Sequence, residues 1–250
     1  AVDDIPGLDA AAASVQVSAA GGHPLIVERS MFWNGGHYAG HTAGATSTPA
    51  TQWFFAEGSQ GFFDTYVLVV NANPSPADVT LTFLREGEAP VVKTRTVGAR
   101  SRLTVYAGDV PELAYQSFAI QVNATQAVVA ERSMYFGSAA THGWTGGHAS
   151  GGSSLARQWS FAEGATGSFF NTFLLLGNPQ ATDAQVQVAY LLDSGGVIVT
   201  PKVVPAQGRL TINVATESDP RLRNAAFSTQ VTSDVPIAAE RSMYWPATQP

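Results

Sequence analysis

The sequence contains no cysteine, which excludes disulfides, thiolate metal sites and cysteine nucleophiles together. It is also poor in charge. Only 13% of the 250 residues are charged, and just two of the 13 basic side chains, Lys93 and Lys202, are lysines. The formal net charge is −6 and no basic cluster exists to neutralise a phosphate backbone, so nucleic acid is not expected as a partner. No apolar run reaches the roughly 18 residues of a spanning helix, and no basic amphipathic segment is present, so membrane insertion is not expected either. Gly-x-Ser-x-Gly, paired carboxylates outside the repeat described below, and a histidine with an acid partner are all missing. The chain therefore reads as non-catalytic and without a cofactor.

What is present is punctuation. The chain holds 24 glycines and 14 prolines among residues that are 45% hydrophobic, a composition suited to many short strands joined by turns. Its length exceeds that of a typical single domain, which points to two.

A repeat sets the organisation. The string Glu-Arg-Ser-Met followed by two aromatics runs Glu28–Trp33, recurs 103 residues on at Glu131–Phe136, and again 109 residues on at Glu240–Trp245. Other landmarks follow in the same order: Gln-Trp-x-Phe-Ala-Glu-Gly from Gln52 and Gln158, Asn-Pro at Asn73 and Asn178, and Arg-Leu-Thr at Arg102 and Arg209. Between landmarks one unit reads as seven strands, with Phe118–Asn123 and Ala127–Phe136 as the last two and forming a hairpin. Alternation in Val79, Leu81, Phe83 and in Leu103, Val105 marks one apolar face. An Asp followed by Pro near Pro6, Pro111 and Pro220 predicts a single helical turn at each.

The expected fold is all-β: two tandem seven-stranded antiparallel β-sandwiches, residues 34–136 and 137–250. Residues 1–33, which match only the end of a unit, are left as a surplus crossing turn and hairpin. The crossing turn ahead of the last two strands resembles the corner of immunoglobulin-like and fibronectin-type-III-like sandwiches. The cysteine pair and core-tryptophan marks of true immunoglobulin domains are missing, so the resemblance is to architecture. The repeated strings resemble tandem repeats of bacterial secreted or cell-surface proteins, a group largely without assigned function. That resemblance implies an extracellular or cell-surface setting.

Charged residues that repeat need partners. In the Glu-Arg-Ser-Met strand Arg and Glu point to opposite faces, and the other repeated charge is the Glu of Phe-Ala-Glu-Gly. Ion pairs Glu57–Arg132 and Glu163–Arg241 are the expected arrangement, in preference to a calcium site. His37 with His41, and His142 with His148, lie in Gly-rich stretches without a third ligand, so hydrogen-bonded loops are expected there in preference to zinc. Tyr38 and Trp144 in the same stretches could stack on a sugar ring. Val15, Val17, Ile26, Met31, Phe32 and Trp33 make the surplus hairpin too apolar to stay naked, and it is expected either to dock on a neighbouring copy or to pack on its own next unit. The function expected is that of a non-catalytic structural module that self-assembles head to tail into a filament, or that spaces or adheres. Its partners would be copies of itself or other surface proteins. The alternatives are a carbohydrate-binding module with a glycan partner, or an accessory domain of a larger secreted enzyme.

Overall fold

The computed structural model describes residues 2–34, 38–137 and 143–245, and these are nearly all strand. A hairpin of β1 (Glu28–Asn34) and β2 (Tyr38–Gly44) comes first. The first unit contains β3 (Ala50–Phe55), β4 (Phe63–Asn71), β5 (Ala77–Arg85), β6 (Val91–Val97), β7 (Ser101–Tyr106) and β8 (Phe118–Phe136). After β9 (Gly146–Gly151), the second contains β10 (Ala156–Phe161), β11 (Asn171–Asn178), β12 (Ala184–Leu192), β13 (Val197–Val204), β14 (Gly208–Asn213) and β15 (Phe227–Tyr244). All pairings between strands are antiparallel.

Each unit is a sandwich whose two layers share one strand. The first half of β8 lies between β5 and β3 in one layer, and its second half lies between β4 and β9 in the other. In the second unit the first half of β15 lies between β12 and β10, and its second half pairs with β11. The expected hairpin of Phe118–Asn123 and Ala127–Phe136 is thus one 19-residue strand. The reason is local: Ala124-Thr125-Gln126 offers no residue that favours the positive φ of a tight turn, so the chain runs on extended and changes layers. Pro236, which lacks an N–H, sits at the corresponding change of layer in β15. The first unit reaches seven strands because β9 joins it; the second has six among the described residues.

The cores follow the alternation. Val79, Leu81 and Phe83 are fully buried with Trp53, Phe55, Val67, Phe118 and Ile120, and Leu103 packs against them from a half-buried position. Leu174, Val186, Val188, Tyr190, Phe227 and Val231 form the second core. Single turns at Pro111–Leu113 and Pro220–Arg223 drive Leu113 and Leu222 into these cores; at the N-terminus the helical turn falls at Val2–Asp4, just ahead of Pro6. Gly58 and Gly164 are required by packing, since a Cβ at either would lie 2.4 Å from the ring of Phe118 or Phe227. The two Asn-Pro landmarks, by contrast, are not equivalent. Asn71, not Asn73, matches Asn178: each is buried and donates its amide to three backbone carbonyls of the turn that follows and of the strand end across from it.

Residues 2–27 form no strand, so the segment expected as a surplus hairpin is not one by itself. β1 finds its partner in β2, across the boundary expected at residue 33. Val15, Val17, Leu25 and Ile26 are exposed, because the segment around Gln16 has no neighbouring ladder to join.

Candidate functional site

The repeated charges meet where the two units join. Arg132, 1% exposed, donates from Nη1 to Glu57 Oε2 at 3.1 Å, to the Glu57 carbonyl at 2.8 Å and to Glu240 Oε2 at 2.8 Å. Glu57 Oε1 accepts from the Ser242 hydroxyl at 2.7 Å and the Tyr244 hydroxyl at 3.1 Å, and Glu240 Oε1 accepts from the Ala56 N–H at 3.1 Å. His148 completes the cluster, with Nδ1 3.3 Å from Arg132 Nη2 and Nε2 3.5 Å from Glu57.

Two carboxylates share one guanidinium, and their titration diverges. Burial works against the Glu57 charge, but Arg132, His148 and the hydroxyls of Ser242 and Tyr244 together hold its carboxyl below the ordinary range. For Glu240, burial and the neighbouring Glu57 outweigh Arg132 and push it up. Burial, assisted by Arg132, depresses His148, while burial and the Glu57 charge raise Tyr244. The groups resemble a catalytic constellation; Glu57, Arg132 and Ser242 are buried between the units, while the Glu240 and His148 side chains keep 17% and 32% of their surface exposed. An apolar plug of Phe54, Ala56, Leu175 and Ala238 lies alongside. Gly177 lets the layers close, since a Cβ there would stand 2.7 Å from the Ala119 Cβ. Arg209, also 1% exposed, reaches across to Glu86 at 3.3 Å.

The same relation recurs one step earlier. Arg29 pairs with Glu131 at 3.2 Å, as Arg132 pairs with Glu240. Trp33 packs on Tyr135 with ring centres 5.2 Å apart, as Phe136 packs on Tyr244 at 6.2 Å. His41 faces Tyr135 and His148 faces Tyr244. Each Glu-Arg-Ser-Met hairpin therefore stacks on the next, Arg forward and Glu backward.

Arg241 lies 2.9 Å from Glu163, but that pair is open to solvent, with the Glu163 side chain 73% exposed. Trp33 is turned inward onto its own first unit and donates to the Trp144 carbonyl at 2.7 Å, the second of the two arrangements expected for it. Met31, Phe32, Val15, Val17 and Ile26 are exposed. The Trp144 ring is stacked on Tyr135 at 4.5 Å and donates to Asp64 at 2.6 Å. The backbone of Tyr38 lies in β2, while its side chain, His37 and His142 lie outside the described residues. Among the described residues no group of three or more His, Asp or Glu is arranged to hold a metal ion. Sequence reasoning missed Glu131, Glu240 and His148 as junction residues.

No protein-family model matches the chain, and no curated protein does. Among solved structures, a Thermotoga maritima protein, 1070, is 20% identical with a TM-score of 0.38, the match covering 42% of this chain and 94% of that one. The Anabaena sensory rhodopsin transducer is 23% identical with a TM-score of 0.32, covering 35% and 99% respectively. Neither likeness bears on function.

Proposed function

We propose that this chain is a non-catalytic structural module, working outside the cell, whose units stack in a fixed register and whose copies join head to tail. The observation that carries the reading is the twofold recurrence of one contact, Arg29 to Glu131 and Arg132 to Glu240, which makes the junction a property of the repeat. Its chemistry is that of a joint: a largely buried ion cluster fixes register and an apolar plug supplies adhesion. Sugar binding has less support, because the ring of Trp144 is engaged in packing within the chain.

Sedimentation velocity and electron microscopy of the full chain at rising concentration test the proposal. Elongated species that grow end to end are expected. A monomer unchanged up to high concentration would overturn it.

A further inference from the structure

His148 is the one large side chain on a strand that otherwise has almost none. β9 reads Gly-Gly-His-Ala-Ser-Gly, weak as a strand by composition, and it lies in the connection between the last strand of the first unit and the first strand of the second. Its backbone pairs with the second half of β8, where His148 stands opposite Met134 and Ser150 opposite Arg132. Beyond that ladder, the side chain that ties β9 to the junction is this imidazole. His148 Nδ1 lies 3.3 Å from Arg132 Nη2 and accepts from it, since a guanidinium can only donate. The neutral ring therefore carries its proton on Nε2, which faces Glu57 Oε2 at 3.5 Å.

We infer that β9 is a proton-operated clasp: neutral His148 holds it on the junction, and in acid the strand is released and the two units are freed to pivot. This adds regulation to the joint and rests on that reading. An imidazolium has no lone pair, so on taking up a proton Nδ1 changes from acceptor to donor and faces the guanidinium it had accepted from, with like charges 3.3 Å apart. With 32% of the side chain exposed, the proton reaches the ring without prior opening.

The groups around the ring do not cancel this effect. Glu57 attracts the imidazolium, but its carboxylate is already engaged by Arg132, Ser242 and Tyr244. From β15, Tyr244 presents its ring edge-on at 6.5 Å, and Glu240 is directed to Arg132 and the Ala56 N–H. From β2, which packs beside β9, His41 would add a second positive charge in acid; it holds the same register position opposite Met31 that His148 holds opposite Met134. Burial and Arg132 keep the folded His148 below its ordinary 6.5, so its contribution to closure is complete above pH 6.5 and is lost as pH falls below that value. Glu240 works in the opposite direction: its raised carboxyl takes up a proton in the closed state first and eases its repulsion of Glu57.

Amide hydrogen exchange of the full chain, read by NMR at residues 146–151 and corrected for intrinsic rates, tests the clasp, with residues 79–83 of the first core as internal standard. Protection of β9 should fall about tenfold between pH 7.5 and 5 and level off once the His148 ring signals show it protonated, while the standard changes far less. His148→Asn, whose Oδ1 can accept from Arg132 but does not titrate, should remove the fall, and Glu240→Gln should steepen it. If His148→Asn leaves β9 unprotected at both pH values, the wild-type chain still decides: constant protection, or a fall unrelated to the ring titration, overturns the clasp. Constant protection in the wild type together with its loss in Arg132→Met at pH 7.5 makes the clasp wrong and leaves the joint standing. If Arg132→Met matches the parent in β9 protection and in stability at pH 7.5, the joint fails as well.

Discussion

Arg132 and Glu240 lie 108 positions apart in the chain, yet their side chains meet at 2.8 Å, the arginine fully buried and the glutamate 17% exposed. Glu57 lies on the other side of the same guanidinium, so one positive charge holds two buried negative ones. Arg132→Met leaves both carboxylates buried without that cation, and should cost about 3–5 kcal/mol. The corresponding Arg241→Met removes a half-exposed partner from an exposed glutamate, and should cost under about 1 kcal/mol. Urea unfolding of the two variants side by side checks the contrast.

The first hairpin should weaken in acid. Burial, then Arg29 and His148, push His41 down from 6.5 to about 4, with the Tyr135 hydroxyl 3.3 Å from its Nε2. A histidine whose folded pKa is depressed takes up its proton more readily in the unfolded chain. Its stabilising contribution is thus complete above pH 6.5 and is lost as pH falls from 6.5 towards 4. Melting temperature measured across that window should decline. His41→Asn should flatten the decline; an unchanged slope would assign it to other groups.

Gly177 faces Ala119 of the first unit at a distance that leaves no room for a Cβ. Gly177→Val introduces the residue that the first unit carries at this position and forces apart layers with no free space, at a cost of about 1–3 kcal/mol. Because the strain falls on the junction and not on either core, calorimetry should resolve one transition into two.

Trp144 distinguishes packing from recognition. Its ring is stacked on Tyr135 and its N–H is bound to Asp64. Trp144→Ala is expected to lower stability by about 1–3 kcal/mol. Glycan-array binding that is present in the parent and lost in this variant would instead revive the sugar-binding reading.

Much of this was legible before the structure. Repetition located the units, two-residue alternation located Val79, Leu81 and Phe83 in the core, and the need of Glu57 and Arg132 for partners pointed to each other. The role of Glu240 was not, although the signal existed. If Arg and Glu of one strand face opposite sides and every unit carries both, stacked units bring unlike charges together; the step needed was to treat the units as touching. The long strands were misread because a change of layer without a turn residue leaves no mark but continued extension. Asn71 was hidden for another reason: Asn-Pro at residue 73 offered a more conspicuous dipeptide than the lone asparagine whose amide fills the turn.

The sharing of β8 between layers bears on how a unit gives way. In a sandwich whose layers touch only through side chains, one sheet can slide off the other. Here 19 residues of a single strand are laced into ladders on both sides, first in one layer and then in the other. Neither layer can leave without unravelling the strand that anchors the other, so tension on a unit meets one cooperative barrier instead of a sequence of small ones.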